Sequence, residues 1–352
     1  MANQNIRTPR FYTDLINYHR ARGSAIGSVT ATNASNGFVG LPTSNNVGDL
    51  LDLRPLNQVT FDTSADTDGH VLFNFTFSSS TFKQTYVAIL NHNLNSCDGR
   101  FKVFAGDVAS DISALDGANA ETSDINWSSV SATEIVNADT IAASDSNKTV
   151  TVTPASDGST IFTFNETNLR YWAIQFEGDT AWDGSTDFKL GGVMIGEHFD
   201  MPQSPDLQLT RRIHYDKVDI QESLGGQRFA NATSFGRTAS STSKSPFSLG
   251  TFPQRQYGGR IIYDMNFSFL QASDLLPSET GIYQTSDDTV ISDAWNMTDG
   301  PHRPFIFSID NTSTGANAES EHMFARFAQD SLDMQQVAPD VYNISLSIAE
   351  EF

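Results

Sequence analysis

Alternation is the feature that most constrains this chain. Ile261, Tyr263, Met265, Phe267 and Phe269 are apolar at every second position, with Asp264, Asn266 and Ser268 between them. Successive side chains of a strand point to opposite faces, so this period of two predicts a strand with one buried face. Tyr342, Ile344, Leu346 and Ile348 repeat the pattern, as do Val71, Phe73, Phe75 and Phe77. Residues 86–90 (YVAIL) are apolar without interruption, which predicts a strand buried on both faces. Residues 101–104, 161–164, 171–176, 188–195, 305–309 and 323–327 supply further strands. Within 171–176, alternation puts Trp172 in the core with Ile174 and Phe176 and turns Tyr171 towards a neighbouring layer. Only 14–22, 273–276 and 288–295 leave room for short helices.

Composition agrees. Ser, Thr, Asn and Asp make up 127 of 352 residues. These residues favour turns and pleated surfaces, and they do not favour helix interiors. The 25 Phe residues supply enough apolar surface to offset chain entropy, which argues against disorder. The reading is an all-β protein. About six strands between 70 and 196, separated by turn signals, suit a β-sandwich or jelly roll. Three regions follow: a basic arm and irregular lead-in at 1–44, a sandwich at 45–200 with a long insertion at 106–150, and a second β domain for assembly contacts at 201–352. The insertion, poor in large apolar groups, is expected as a loop or weak edge structure. The proline-bearing stretch 201–208 reads as a linker.

The net charge of −21 repels phosphate, which argues against nucleic-acid and anionic-membrane partners. No run of 18 apolar residues exists to span a membrane, and the opening MANQNIRTPRFYTDL has no secretory hydrophobic segment. Cys97 is the only cysteine, so internal disulfides and multi-cysteine zinc sites are excluded and a reducing compartment suffices.

Residues 1–23 carry Arg7, Arg10, Arg20 and Arg22, opposite in sign to the whole. The segment reads either as a solvated cap or as an arm docking on acidic surface, in this chain or a neighbour. In the second case Arg7, Arg10, Phe11, Tyr12, Arg20 and Arg22 are the candidate assembly contacts. Asp62, Asp66 and Asp68 place oxygens at nearly alternate positions, a weak Ca²⁺ candidate without the closing Glu of an EF-hand loop. Glu177, Asp179, Asp183 and Asp187 surround Trp182, whose ring could stack on a sugar, so Trp182 and Asp183 are candidate glycan contacts. In so acidic a chain the plainer reading is a turn between strands. His92 reads as a turn histidine bonded to backbone, and Cys97 as a small inert residue. No motif sets up a nucleophile. No catalytic residue or cofactor is expected.

His92-Asn93-Leu94 after a strand, Arg170-Tyr171-Trp172, and Gly191-x-x-x-Ile195-Gly196 come in that order. The trio resembles the galactose-binding-like (discoidin-type) β-sandwich of tailed-bacteriophage virion proteins. The opening Thr8-Pro-Arg-Phe-Tyr-Thr-Asp-Leu15 resembles the start of such proteins too. The resemblance spans roughly residues 1–200. It implies a structural Ca²⁺ more often than the acidic residues alone do. It also implies a non-enzymatic virion component of tail, neck or baseplate, assembled in the host cytoplasm, whose partners are other virion proteins and copies of itself. The alternatives are an adhesin module binding host glycans and a glycan hydrolase using the acidic cluster.

Overall fold

The computed structural model describes residues 7–22, 42–44, 47–65, 67–77, 82–109, 127, 132–144, 149–214, 220–230, 260–276, 290–314 and 318–351. It is mostly strand, and every strand pair is antiparallel. One sheet runs His70–Thr76, Tyr171–Gly178, Gly99–Gly106, Thr149–Pro154, Ala138–Ser144 in spatial order. The sheet facing it runs Gly192–Gly196, Gln84–His92, Gly158–Thr167, Thr133–Val136. Between them lies one aromatic-rich core. Phe73, Phe75, Phe101, Val103, Trp172, Ile174 and Phe176 enter from the first sheet, and Val87, Ile89, Phe162, Phe164 and Ile195 from the second. This is a β-sandwich, and its register follows the alternation: Trp172 is fully buried with Ile174 and Phe176. The Trp172 indole donates to Leu169 O at 2.9 Å, so its one polar atom is satisfied.

The 106–150 stretch differs from a plain loop. Thr133–Val136 and Ala138–Ser144 form the edge strands of the two sheets. Trp127 is buried against Phe162, Phe164 and Trp172. A single tryptophan in polar surroundings has no periodicity to announce it. Residues 110–126, 128–131 and 145–148 lie outside the described residues. The expected strand at 188–195 is broken in two. Phe188–Leu190 pairs with Val59–Phe61, while Gly192–Gly196 pairs with Gln84–His92.

A third, larger sheet runs His198–Asp200, Arg10–Tyr12, Phe305–Ser308, His322–Phe327, Val341–Glu350, Arg260–Gln271, Thr210–His214, and Met334–Ala338 adds to Val341–Glu350. One face carries Phe11, Met265, Phe267, Phe305, Phe307, Phe327, Ile344, Leu346 and Ile348. Leu275 of the helix Ala272–Leu275 and Ile291 and Ala294 of the helix Val290–Met297 pack against it. Next to the sandwich, Tyr12, Ile306 and Phe324 meet Tyr86, Ala88, Leu90, Ile161 and Met194. The continuous apolar run at 86–90 is thereby explained: Val87 and Ile89 fill the sandwich core, while Tyr86, Ala88 and Leu90 fill the layer between the sandwich and the large sheet.

The N-terminal segment joins all of this. Asp14 caps the helix Leu15–Ala21, accepting from Ile16 N at 3.0 Å and Asn17 N at 3.2 Å. Phe11 belongs to the far core of the large sheet, Tyr12 to the middle layer, and Leu15, Ile16 and Tyr18 to the sandwich core. Gly196 makes the crossing possible, because a Cβ there would lie 2.0 Å from Thr13 O.

Candidate functional site

Two regions hold the residues singled out from the sequence: the N-terminal segment, and one loop end of the sandwich. In the first, the basic arm docks on its own chain. Arg10 makes two bonds to Asp200, Nε–Oδ1 at 2.5 Å and Nη2–Oδ2 at 2.8 Å, beside the ladder its backbone forms. Burial alone would raise the Asp200 carboxyl; Arg10 outweighs it and holds the group below the usual range. Arg7 lies 3.8 Å from Asp310, Arg22 2.8 Å from Asp299, and Arg20 donates to Leu51 O at 2.9 Å. Phe11 and Tyr12 are fully buried within the chain, so neither presents an aromatic face to a neighbour. Sequence could not separate own chain from neighbour, because the acidic partners lie 190 to 303 residues away.

The loop end is built by 62–69, 91–99 and 177–187. Asp179 N donates to Asp98 O at 2.7 Å, Asp183 N to Cys97 O at 3.0 Å, and Trp182 N to Thr67 O at 2.8 Å. Trp182 is not a surface platform. It is 3% exposed, stacks on Phe188 at 5.4 Å between centroids, and donates its indole N–H to Gly69 O at 2.6 Å. Its candidate role as a glycan contact is therefore corrected: the ring is buried in the sandwich core and its one polar atom is already bonded. Asp183 accepts from Ser185 Oγ at 2.7 Å, and that hydroxyl holds its carboxyl low.

Glu177 is buried at the end of its strand. Burial would raise its carboxyl, but Lys102 at 3.3 Å and Arg100 at 2.7 Å outweigh burial and keep it low. Arg100 also reaches Asp179 at 2.7 Å. A glycosidase acid needs a raised carboxyl; Glu177 and Asp183 are both lowered. Asp62 accepts from Ser64 Oγ and Ala65 N, each at 3.1 Å, which is a local turn. Asp68 is exposed, and Asp66 lies outside the described residues. Among the described residues no group of three or more His, Cys, Asp or Glu is placed to hold a metal. A polar cleft of about 250 Å³ opens here, lined by Asn95, Asp98, Thr153, Asp179 and Thr180.

His92 donates from Nε2 to Thr160 Oγ1 at 2.9 Å and accepts the Leu94 N–H on Nδ1 at 3.3 Å. Burial lowers its pKa to about 3, so it is neutral and fully bonded. The Cys97 thiol is buried, pushed well up by burial, and donates to Leu94 O at 3.5 Å.

A third region holds none of the candidate site residues. Thr210–His214 is exposed at every residue, and among the described residues it pairs on one side only, with Arg260–Gln271. Ile220–Glu222 and Arg228–Ala230 form a separate two-stranded hairpin whose described side chains are all exposed. The signal was present in the sequence as charge. Residues 207–260 hold eight of the 21 basic residues and three of the 42 acidic ones. No family model, curated protein or solved structure matches the chain. No helix among the described residues is long and apolar enough to cross a membrane.

Proposed function

We propose that this chain is a non-enzymatic structural component of a tailed-phage virion, at tail, neck or baseplate, that works through protein–protein contacts. One observation carries the reading: the layered β body bears an edge strand and a hairpin whose described side chains are all exposed. An isolated two-stranded hairpin is marginal in water, and open strand edges invite pairing. Elements of this kind suit a protein that becomes complete in an assembly. The ordered trio of His92-Asn93-Leu94, Arg170-Tyr171-Trp172 and Gly191-x-x-x-Ile195-Gly196 lies in a β-sandwich, which agrees with a galactose-binding-like domain serving as a virion scaffold. Assembly in the host cytoplasm fits a chain that needs no disulfide. The test is gold-labelled antibody against the recombinant protein, applied to purified particles of the phage that encodes it. Label at one defined place on the particle is expected, with the chain's peptides recovered from the particles by mass spectrometry. Particles carrying neither would overturn the reading.

A further inference from the structure

Among the described residues the chain crosses between the large sheet and the sandwich twice, at Thr13 after Arg10–Tyr12 and at Glu197 before His198–Asp200. The crossings lie side by side. Thr13 N donates to Glu197 O at 3.0 Å, and Thr13 Oγ1 donates to the same oxygen at 3.1 Å. Two bonded crossings on one line form a hinge. Away from it, the layers are held by the buried cluster that contains Tyr12 and Phe324 from one side and Tyr86 and Met194 from the other, and by the surface pair Arg22–Asp299.

Two histidines flank Tyr12 in that layer. The rings of His198 and His322 have centroids 5.9 and 5.7 Å from the Tyr12 ring. Hydrogen-bond direction fixes the state of His322. Ala318 O can only accept, so the ring carries its proton on Nδ1, 2.8 Å from that oxygen, and its bare Nε2 accepts from the Tyr12 hydroxyl at 3.3 Å. A second proton would set two donors against each other where His322 is 4% exposed and Tyr12 1%. His198 Nδ1 lies 2.7 Å from Thr85 Oγ1, across the layer.

The surrounding charges do not favour a cation. Arg10 acts against a charge on either ring. Asp200 would favour one on His198 but is held by Arg10, and Asp310 would favour one on His322 but accepts from Thr312 and lies 3.8 Å from Arg7. Glu321 directly precedes His322, and Arg326 lies four residues along its strand and pairs with Glu351. Glu350 pairs with Ala325 and so shares the opposite face. Glu197 precedes His198, and Asp293 belongs to the helix packed against that strand. With burial, this balance keeps both imidazoles neutral in the closed fold, each lowered to about 4.

We propose that His198 and His322 make this layer an acid-released latch: at low pH they take up protons, and the sandwich parts from the large sheet about the Thr13–Glu197 hinge while each keeps its own core. The sandwich core and the core between the large sheet and its helices are separate clusters, and Tyr12 belongs to neither. Once water enters the layer each ring regains an ordinary pKa near 6.5, so each favours the open form by up to about 300-fold in acid.

The experiment titrates the full chain from pH 7.5 to 3.5, following small-angle scattering, hydrophobic-dye fluorescence and far-ultraviolet circular dichroism. Radius and dye binding are expected to rise together between about pH 5 and 3.5 while the β signal holds. His198→Gln with His322→Gln should lower the midpoint of that step by at least half a pH unit. His92→Gln, which alters a buried histidine inside the sandwich, should leave it in place. Loss of the β signal in the same step as dye binding overturns the proposal, as does a double variant that opens at the parent's pH. Should the double variant not fold, nuclear magnetic resonance of the parent's imidazoles decides. Ring signals of His198 and His322 that titrate with the opening support the latch, and titration near 6.5 in a closed fold overturns it.

Discussion

Trp182 illustrates how one side chain decides between functions. On the sequence it sits among four carboxylates and reads as a sugar platform. In the fold, its strand-end turn folds inward, because Phe188 and the Gly69 carbonyl offer a better site than water does. Trp182→Ala should then cost roughly 3–5 kcal/mol of stability, measured as a lowered urea midpoint. A near-neutral change would mean that the ring is dispensable to the core. Histidine chemistry is a second matter of single residues. Burial lowers His92 to about 3 and His322 to about 4. Below about pH 6.5 the unfolded chain takes up these protons while the fold does not. Stability therefore falls as pH drops from 6.5 to 4, by about 1.4 kcal/mol per pH unit for each histidine. Asp14 opposes this between about 6 and 4, since burial raises its carboxyl to about 6 and the folded state keeps that proton. His19 and His198, also lowered to about 4 by burial, act in the same direction, and the four histidines together outweigh it. Urea midpoints at pH 7.5, 6 and 4.5 should fall in that order, and His322→Gln should reduce the slope. A flat profile would show that the buried imidazoles take up protons inside the fold.

At the scale of elements, strands were legible wherever alternation or a continuous apolar run was long enough. The strands around Phe73, Trp172 and Leu346 lie where their patterns place them, and Tyr263, Met265 and Phe267 face inward as expected; the alternation ends there, because a register shift after Phe267 turns Phe269 outward and buries Leu270. Short segments were not legible. Arg10–Tyr12 is three residues long, and nothing in Arg-Phe-Tyr distinguishes an inner strand from an arm. Its identity comes from partners at Phe199 and Phe307, which no local pattern specifies. The partners of Arg7, Arg10 and Arg22 within the chain were not legible for the same reason. The N-terminal element makes a sharp prediction. Phe11 sits against Phe305, Phe307 and Phe327 with centroids 5.4–5.9 Å apart. Phe11→Ala should cost roughly 3–5 kcal/mol, and deletion of residues 1–18 should abolish the cooperative transition in circular dichroism. A truncated chain with unchanged β signal and midpoint would make the segment a mere cap.

At the scale of the whole molecule, the division at residue 200 is bridged by the N-terminal segment and by the layer between sandwich and large sheet. Residues 10–12 and 198–200 pair in the large sheet, and the outer face of the sandwich packs on that sheet through Tyr86, Ile306 and Phe324. The polar contacts across the layer are specific ones: Tyr86 donates to Thr13 O at 2.8 Å, and Thr85 Oγ1 lies 2.7 Å from His198 Nδ1. We expect a single calorimetric transition for the full chain. We also expect that a fragment ending at residue 200 binds hydrophobic dye, because Tyr86, Ala88 and Leu90 lose their cover. Two resolved transitions, or a dye-silent fragment, would restore two autonomous domains.

The placement of Arg10–Tyr12 between His198–Asp200 and Phe305–Ser308 also sets a timetable for synthesis. The first of these strands to leave the ribosome waits for a partner translated almost 300 residues later. At about 5–20 residues per second, Phe11 and Tyr12 stay uncovered on that side for roughly 15–60 s. The nascent chain thus holds an aromatic strand in reserve until its last third emerges, which makes its yield sensitive to translation speed and to chaperone supply.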